Sequence, residues 1–447
     1  MSVKTIQKLP QTQTPAFNKE EVLKDYRIAN ESRQASLLGR REVLTGKGKF
    51  GIFGDGKEVA QLAMARVFRN GDWRSGYYRD QTFMFAASLM RIEEFFAQIY
   101  GDTDAAFNPM NAGRLMGNHF STRNQDENGK WLDLMQQKNS SADISPTAGQ
   151  MPRLLGLALT SKLTRNNPEL AHLSTLTANG NEVAFGTIGD ASTSEGHFWE
   201  TINAAGVLQV PMAVSVWDDG FGISVPNHLQ TTKSSISEVL RGFEKTRDKD
   251  GFLIYTAKGW DYAALCNMYE EGISICREKH IPVLFHITEV TQPLGHSTSG
   301  SHERYKTAER LAWEKEFDCI KQMRKWIIDE SIASGEELDS IEKESVERVK
   351  QAKKTAWNNY QKPLNQLRDE FLRIADVTTC NCAKTAKINA IKQDLRQVAE
   401  PIRKDIMSAA KKILRLICDS CSNPSNSLKI NVSNWLEAEL AGSYKRF

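Results

Sequence analysis

The sequence predicts an α/β protein built on a doubly wound, mostly parallel sheet, with a helical C-terminal extension. Three observations lead there. The apolar run Val183-Ala184-Phe185-Gly186-Thr187-Ile188 ends in Gly189-Asp190-Ala191-Ser192, and a second run from Pro211 to Trp217 ends in Asp218-Asp219-Gly220. Between them lies helix-compatible sequence to Gln209, so the whole reads as a β-α-β unit. From about residue 46 to 305 apolar runs alternate with amphipathic stretches, which is how a sheet covered by helices on both faces reads.

Within this unit, Ser192-Thr193-Ser194-Glu195 has the spacing of a capping box and predicts the start of the intervening helix. In parallel sheets ligands collect beyond the carboxyl ends of the strands, where helix N-termini offer unpaired amides to phosphate. Asp190 and Asp219 stand at two such ends. A hard divalent cation needs only one or two protein carboxylates when a diphosphate supplies the remaining oxygens. Gly220 permits a turn in which the carbonyl of Phe221 adds a further oxygen, because glycine takes positive φ without steric cost. Read alone, Gly-Asp at a strand end is an ordinary solvated turn.

The longer match decides between these readings. Gly189 to Gly196, followed by Asp218-Asp219-Gly220-Phe221-Gly222-Ile223-Ser224, resembles the thiamine-diphosphate motif, and the chain is similar to the α subunit of the 2-oxoacid dehydrogenase decarboxylase component. The likeness extends from about Phe50 to Trp357 and implies a thiamine-diphosphate-binding fold, with thiamine diphosphate and Mg²⁺ as cofactors. Asp190, Asp219 and the Phe221 carbonyl are then the expected metal ligands, and Gly189, Ala191 and Ser192 line the cofactor.

Further segments agree in order. Tyr77-Tyr78-Arg79-Asp80 resembles the family's Tyr-Arg segment and makes Tyr78 and Arg79 expected cofactor contacts, a planar guanidinium being suited to grip phosphate oxygens in two places. Gly113-Arg114 to His119 is similar to a Gly/Arg-rich segment whose histidine lies near the active site. Ser145-Pro146-Thr147 matches a segment in which the serine and the residue two places on approach the cofactor. Gly295-His296-Ser297-Thr298-Ser299 resembles a Gly-His-Ser-x-Ser loop that some relatives phosphorylate. His296 and His119 are the expected catalytic side chains, because imidazole either donates to a phosphate oxygen or holds a proton near neutrality.

Three departures from the motif are visible. Asp219 replaces an asparagine, Ala191 a glycine, and Trp217 a residue that is often basic. They predict weaker cofactor binding, or compensation from Arg79 and Arg114. In the family, the glutamate that activates the cofactor comes from the β subunit, and this chain has no convincing counterpart. The expected partners are therefore a β subunit, or a β half of the same chain, in an α2β2-type assembly, a lipoyl-bearing acyltransferase, and a 2-oxoacid substrate. Alternatives are another thiamine-dependent reaction such as acetoin cleavage, or a degenerate non-catalytic scaffold.

The 447 residues are 40% hydrophobic and 25% charged with net charge +3, enough for one large core plus an appendage and without a general nucleic-acid signal. There is no apolar run of about 18 residues or more, so no membrane association is expected. The start MSVKTIQKLP lacks secretory and presequence character, which makes the expected location cytoplasmic. Seven cysteines suggest reduced thiols; Cys380, Cys382, Cys418 and Cys421 could in principle hold zinc, but the first pair is too tightly spaced for the common pattern. The organisation expected is an N-terminal arm over 1–45 that packs on a partner or frays, a cofactor-binding domain over 46–305, helices over 306–357, and a helical extension over 358–447 toward a β half. In that extension Ile402, Ile406, Ala409, Ala410, Ile413, Leu414 and Ile417 recur at helical spacing among basic residues, the pattern of a helix that packs an apolar stripe on the body or a partner.

Overall fold

The computed structural model describes residues 17–376, 383–417 and 424–445. Its centre is a six-stranded sheet formed by β1 (Trp73–Ser75), β2 (Asn139–Ser140), β3 (Ala184–Gly189), β4 (Met212–Trp217), β7 (Leu253–Lys258) and β8 (Val283–Thr288), in the order β2-β1-β3-β4-β8-β7. Every pairing in it is parallel. The short strands β5 (Phe221–Gly222) and β6 (Val225–Pro226) form a separate antiparallel ribbon beyond the end of β4.

Strand residues alternate between two cores, as the two-residue period of a strand requires. Phe185, Ala213, Trp217, Phe285 and Ile287 face one core; Ala184, Ile188, Val214, Val216 and Leu284 face the other. The first core is covered by α1 (Lys19–Leu44), α2 (Glu58–Arg66), α3 (Gln81–Ala86) and α4 (Ile92–Tyr100), together with later helices named below. The second is covered by α5 (Met151–Asn166), α6 (Gly196–Leu208) and the single turn α7 (Ile236–Val239). Helices on both faces of a parallel sheet make this a doubly wound α/β fold. The close fit on the second face depends on Gly186, where a Cβ would stand 2.2 Å from a Leu154 methyl.

The remaining helices are α8 (Tyr262–Lys279), α9 (Ala308–Glu316), α10 (Cys319–Asp329), α11 (Gly335–Asp376), α12 (Thr385–Gln397), α13 (Arg403–Leu416) and α14 (Pro424–Lys445). The last four enclose a third core of their own, with Phe371, Ile388, Ile406, Ile413 and Val432 buried in it. Full burial of such a side chain stabilises by about 1.5–3 kcal/mol, so the apolar stripe of α13 is committed to packing inside the chain. Ile402, at its N-cap, stays 43% exposed.

The structure bears on the sequence expectation in three places. The described part of the N-terminal segment packs on the chain itself. From Lys19 it is a 26-residue helix capped by the Asn18 side chain, and Val22, Tyr26 and Ala29 are fully buried. Tyr26 donates a 2.5 Å hydrogen bond to Glu342 of α11, and Arg27 pairs with Glu344 of the same helix at 2.8 Å. Near residue 357 the chain changes core without ending a helix: α11 runs on through Pro363, its side chains leaving the first core at Tyr360 and entering the third at Leu367. The capping box does not form: Asp190 already has helical φ/ψ of −53° and −48°, a 3₁₀ turn follows over Ala191–Ser194, and α6 starts at Gly196 with no side-chain cap.

Among the described residues no helix is long and apolar enough to cross a membrane. Cys266, Cys276 and Cys319 are buried free thiols, while Cys380, Cys382, Cys418 and Cys421 lie outside the described residues.

Candidate active site

β3 and β4 are neighbours in register, with Gly189 opposite Trp217, so the chain leaves them side by side. The Asp190 amide donates to the Trp217 carbonyl at 3.2 Å, which holds the two exits together. Gly220, at φ +79°, turns the chain after Asp219, and the Phe221 amide donates to Asp219 Oδ1 at 3.1 Å. A cavity of about 470 Å³ opens at these strand ends, a volume within the range of small-molecule sites.

The structure brings most of the sequence-derived residues to that cavity. Tyr78 and Arg79 line it from the turn between β1 and α3, and Ser145 and Thr147 from the loop before α5. Gly189, Asp190, Ala191 and Ser192 line it from the end of β3, Asp219 and Phe221 from beyond β4, and His296 from the loop after β8. His119 is not among the lining residues. It is 1% exposed, with Nε2 3.0 Å from the Ser145 hydroxyl, so it acts on the cavity only through Ser145. Arg114 is exposed and does not line the cavity either.

A buried network fixes the Tyr-Arg turn. Arg74, fully buried on β1, donates to Asp80 at 2.8 Å, to Asp143 at 3.0 and 3.1 Å, to Ser140 at 2.9 Å and to the Tyr77 carbonyl at 3.0 Å. Thr187 of β3 adds a 2.5 Å hydrogen bond to Asp80. Arg79 is thereby aimed across the cavity mouth. Its guanidinium donates to the Phe53 carbonyl at 2.7 Å and, through Nη2, to His296 Nδ1 and the His296 carbonyl, both at 2.9 Å.

This geometry bears on the expected roles of His296. An arginine can only donate, so Nδ1 accepts and the ring proton sits on Nε2. Burial, with Arg79 and Lys57 outweighing the opposing Asp219, pushes the imidazole pKa down to about 4. A pKa so depressed favours the neutral imidazole near pH 7, with its N–H on Nε2.

The two aspartates occupy opposite electrostatic situations. Burial and then the neighbouring charges of Asp219 and Asp218 raise the Asp190 pKa well above the ordinary carboxylate value. Its Oδ2 is buried without a hydrogen-bond partner. Burial also opposes charge on Asp219, but Lys57, Arg79 and Lys306 together hold its pKa below the ordinary value. Asp218 pairs with His286 Nε2 at 2.9 Å while its carboxylate stays beside that of Asp190.

Sequence reasoning did not find the cations around Asp219. Lys57 Nζ lies 3.3 Å from Asp219 Oδ2, and Arg310 donates to the Asp219 carbonyl at 2.8 Å. Lys57 immediately precedes α2 and is 162 positions from its partner, so no local pattern announces the pair. Two rim features also went unread. Ile223 holds a left-handed φ of +59° while 62% exposed, an uncommon conformation for a β-branched residue and of the kind that gathers at functional sites. Trp217 is 1% exposed with an unpartnered indole N–H, and it lines the cavity where a basic residue stands in the motif.

The residues fit a cation held jointly with a phosphorylated cofactor. Asp190 presents an unpartnered carboxylate oxygen, and among the described residues no three His, Cys, Asp or Glu side chains form a metal site of their own. Such a deficit suits a hard cation whose other oxygens come from phosphate.

A doubly wound sheet with carboxylates, an arginine and a cavity at its strand ends defines the class of α/β proteins whose ligand site lies beyond the carboxyl ends of the strands. The chain belongs to the dehydrogenase E1 component family, which matches over residues 35–364. It is similar to the human mitochondrial 2-oxoisovalerate dehydrogenase subunit alpha, with 23% identity over 343 residues, covering 76% of this chain and 68% of that one. It is also similar to the pyruvate dehydrogenase E1 component subunit alpha of Acholeplasma laidlawii, at 24% over 339 residues, 75% of this chain and 83% of the relative. The corresponding subunit of Rickettsia typhi matches at 25% over a shorter 179 residues.

Proposed function

We propose that this chain binds thiamine diphosphate with Mg²⁺ and forms the α part of a 2-oxoacid dehydrogenase E1 component that decarboxylates a 2-oxoacid and passes the acyl group to a lipoyl domain. The observation that carries the reading is the unpartnered, buried Oδ2 of Asp190 in the cavity that Tyr78, Arg79, Ser145, Asp219 and His296 share. An orphaned buried acceptor is costly unless a ligand satisfies it.

In this reading Asp190, Asp219 and the Phe221 carbonyl hold the cation, and Arg79 and the Nε2–H of His296 donate to the diphosphate. Ser145, steadied by His119, and Thr147 meet the cofactor from the opposite loop. When bound, the cofactor supplies the electron sink for loss of CO₂ from the substrate. The chain's own residues bind and orient it, and a β subunit or β half completes the site in an α2β2-type assembly with a lipoyl acyltransferase as acceptor.

Calorimetry with thiamine diphosphate and Mg²⁺, with and without the β partner, tests this directly. Binding that tightens with the partner and is lost in Asp190→Ala is expected, followed by turnover of pyruvate or a branched-chain 2-oxoacid. Absence of binding in both settings would favour a non-catalytic scaffold, a reading supported by the Lys57 ammonium resting on an expected metal ligand. Binding with turnover of acetoin alone would favour the other thiamine-dependent chemistry.

A further inference from the structure

Lys57 is 1% exposed, and a buried ammonium is rare unless it is paired and fully hydrogen-bonded. Here it is both. Its three donors meet three acceptors: Asp219 Oδ2 at 3.3 Å, the Thr291 carbonyl at 3.0 Å and Gln292 Oε1 at 2.5 Å. The backbone before it is pressed against the same loop, since a Cβ on Gly56, at φ +84°, would stand 2.0 Å from the Thr291 carbonyl oxygen. Lys57 thus joins the chain ahead of α2, the end of β4 and the loop after β8 beneath the cavity that it also lines.

The charge balance gives this placement a purpose. Of the ionisable residues lining the cavity, Asp190 is a buried acid, Asp219 a half-buried one and Glu195 an exposed one, while Lys57 and Arg79 are buried basic residues. Without Lys57, the Asp219 carboxylate would lose the cation in contact with it and turn an uncovered charge toward an anion. Resting on the cofactor assignment above, we infer that Lys57 is a positioning residue: it holds Asp219 toward the cation and cancels its charge, so that the pair acts on the diphosphate as one neutral oxygen ligand.

The experiment uses the full chain with its β partner, titrated by calorimetry with thiamine diphosphate plus Mg²⁺ and, separately, with Mn²⁺ alone. Lys57→Gln uncovers the Asp219 charge. The expected result is thiamine diphosphate binding weakened about tenfold and Mn²⁺-alone binding tightened about tenfold, the scale of one unit charge acting at contact distance in a partly screened site. The double variant Lys57→Gln/Asp219→Asn restores neutrality and should return both affinities to within about threefold of the unaltered protein. A merely structural lysine predicts no such rescue, and equal weakness of the single and double variants overturns the inference. If Lys57→Gln does not fold, Asp219→Asn tests the pair from the other side, because it leaves the ammonium unpaired. Metal-free thiamine diphosphate must then bind about tenfold more tightly, and unchanged affinity refutes the role. Failure of the unaltered protein to bind thiamine diphosphate with Mg²⁺ removes the cofactor assignment as well, whereas normal binding without rescue removes the Lys57 role alone.

Discussion

Replacing Asp190 with asparagine should make the empty protein more stable and the cofactor site worse. Asp190 is 6% exposed, its Oδ2 has no partner, and Asp218 and Asp219 press like charge upon it. An uncompensated buried polar group of this kind costs about 1–3 kcal/mol. The Asp190→Asn amide removes one charge and presents N–H donors to the adjoining Asp218 carboxylate, so most of that amount should be recovered. Unfolding entropy of about 2.1 cal/mol/K per residue gives roughly 0.9 kcal/mol/K for 447 residues, and the melting temperature should rise by about 1–3 °C. Cation-dependent thiamine diphosphate affinity should fall by about 100-fold or more, because even groups that only orient a metal ligand are worth about 10–100-fold. Differential scanning calorimetry without ligand and isothermal titration with Mg²⁺ read the two effects. A variant that melts lower while retaining full Mg²⁺-dependent binding would refute the reasoning, for it would mean that Asp190 has a satisfied structural role.

Two further outcomes follow from groups outside the cavity wall. Arg74→Ala strands Asp80 and Asp143 in a fully buried setting; a loss of about 3–5 kcal/mol is expected, seen as a melting point lower by about 3–5 °C, with weaker cofactor binding because the Tyr77 carbonyl loses its tie. His280 is buried, its Nε2 lies 2.8 Å from the Gly180 carbonyl, and burial brings its pKa down to about 4 from 6.5. Its folded pKa is the lower one, so the stability it contributes is complete above about pH 6.5 and is lost as pH falls toward 4. Chemical unfolding of the unaltered protein and His280→Gln at pH 7 and pH 4.5 should show their difference shifting by about 1–3 kcal/mol against the unaltered protein at the lower pH, and a constant difference would remove His280 as the cause.

What the sequence made legible follows the range over which each signal acts. Asp190, Asp219 and the turn at Gly220 could be read because strand periodicity and the residues that end a strand are adjacent in the chain. The helix over Lys19–Leu44 escaped because its buried face includes Asp25, Asn30, Glu31 and Glu42, whose polarity masks the apolar period. Several of these are satisfied by distant partners, as when Lys353 meets Glu42 at 3.0 Å. The absent capping box has a local cause of another kind. Strand pairing draws the Asp190 amide onto Trp217, and the tight turn that follows consumes the residues that would have capped α6. Lys57 and the burial of His119 depend on tertiary neighbours alone, and nothing within a few residues of either foretells them.

The long helix α11 carries Leu338, Ile341 and Val349 in the core beneath the sheet and Phe371, Leu372 and Ala375 in the core of the C-terminal bundle. Its 42 residues span about 63 Å at 1.5 Å per residue. It is an axle shared by two bodies, with Pro363 at the passage from one to the other. Whatever docks on the bundle takes hold of a lever whose other end is bolted, through Tyr26 and Glu342, to α1, which in turn is tied by Arg33 to Glu58 at the start of α2. Torque on the appendage is thus delivered to the half that holds the sheet and its cavity, and a chain shortened at residue 357 would sever the axle partway along its length.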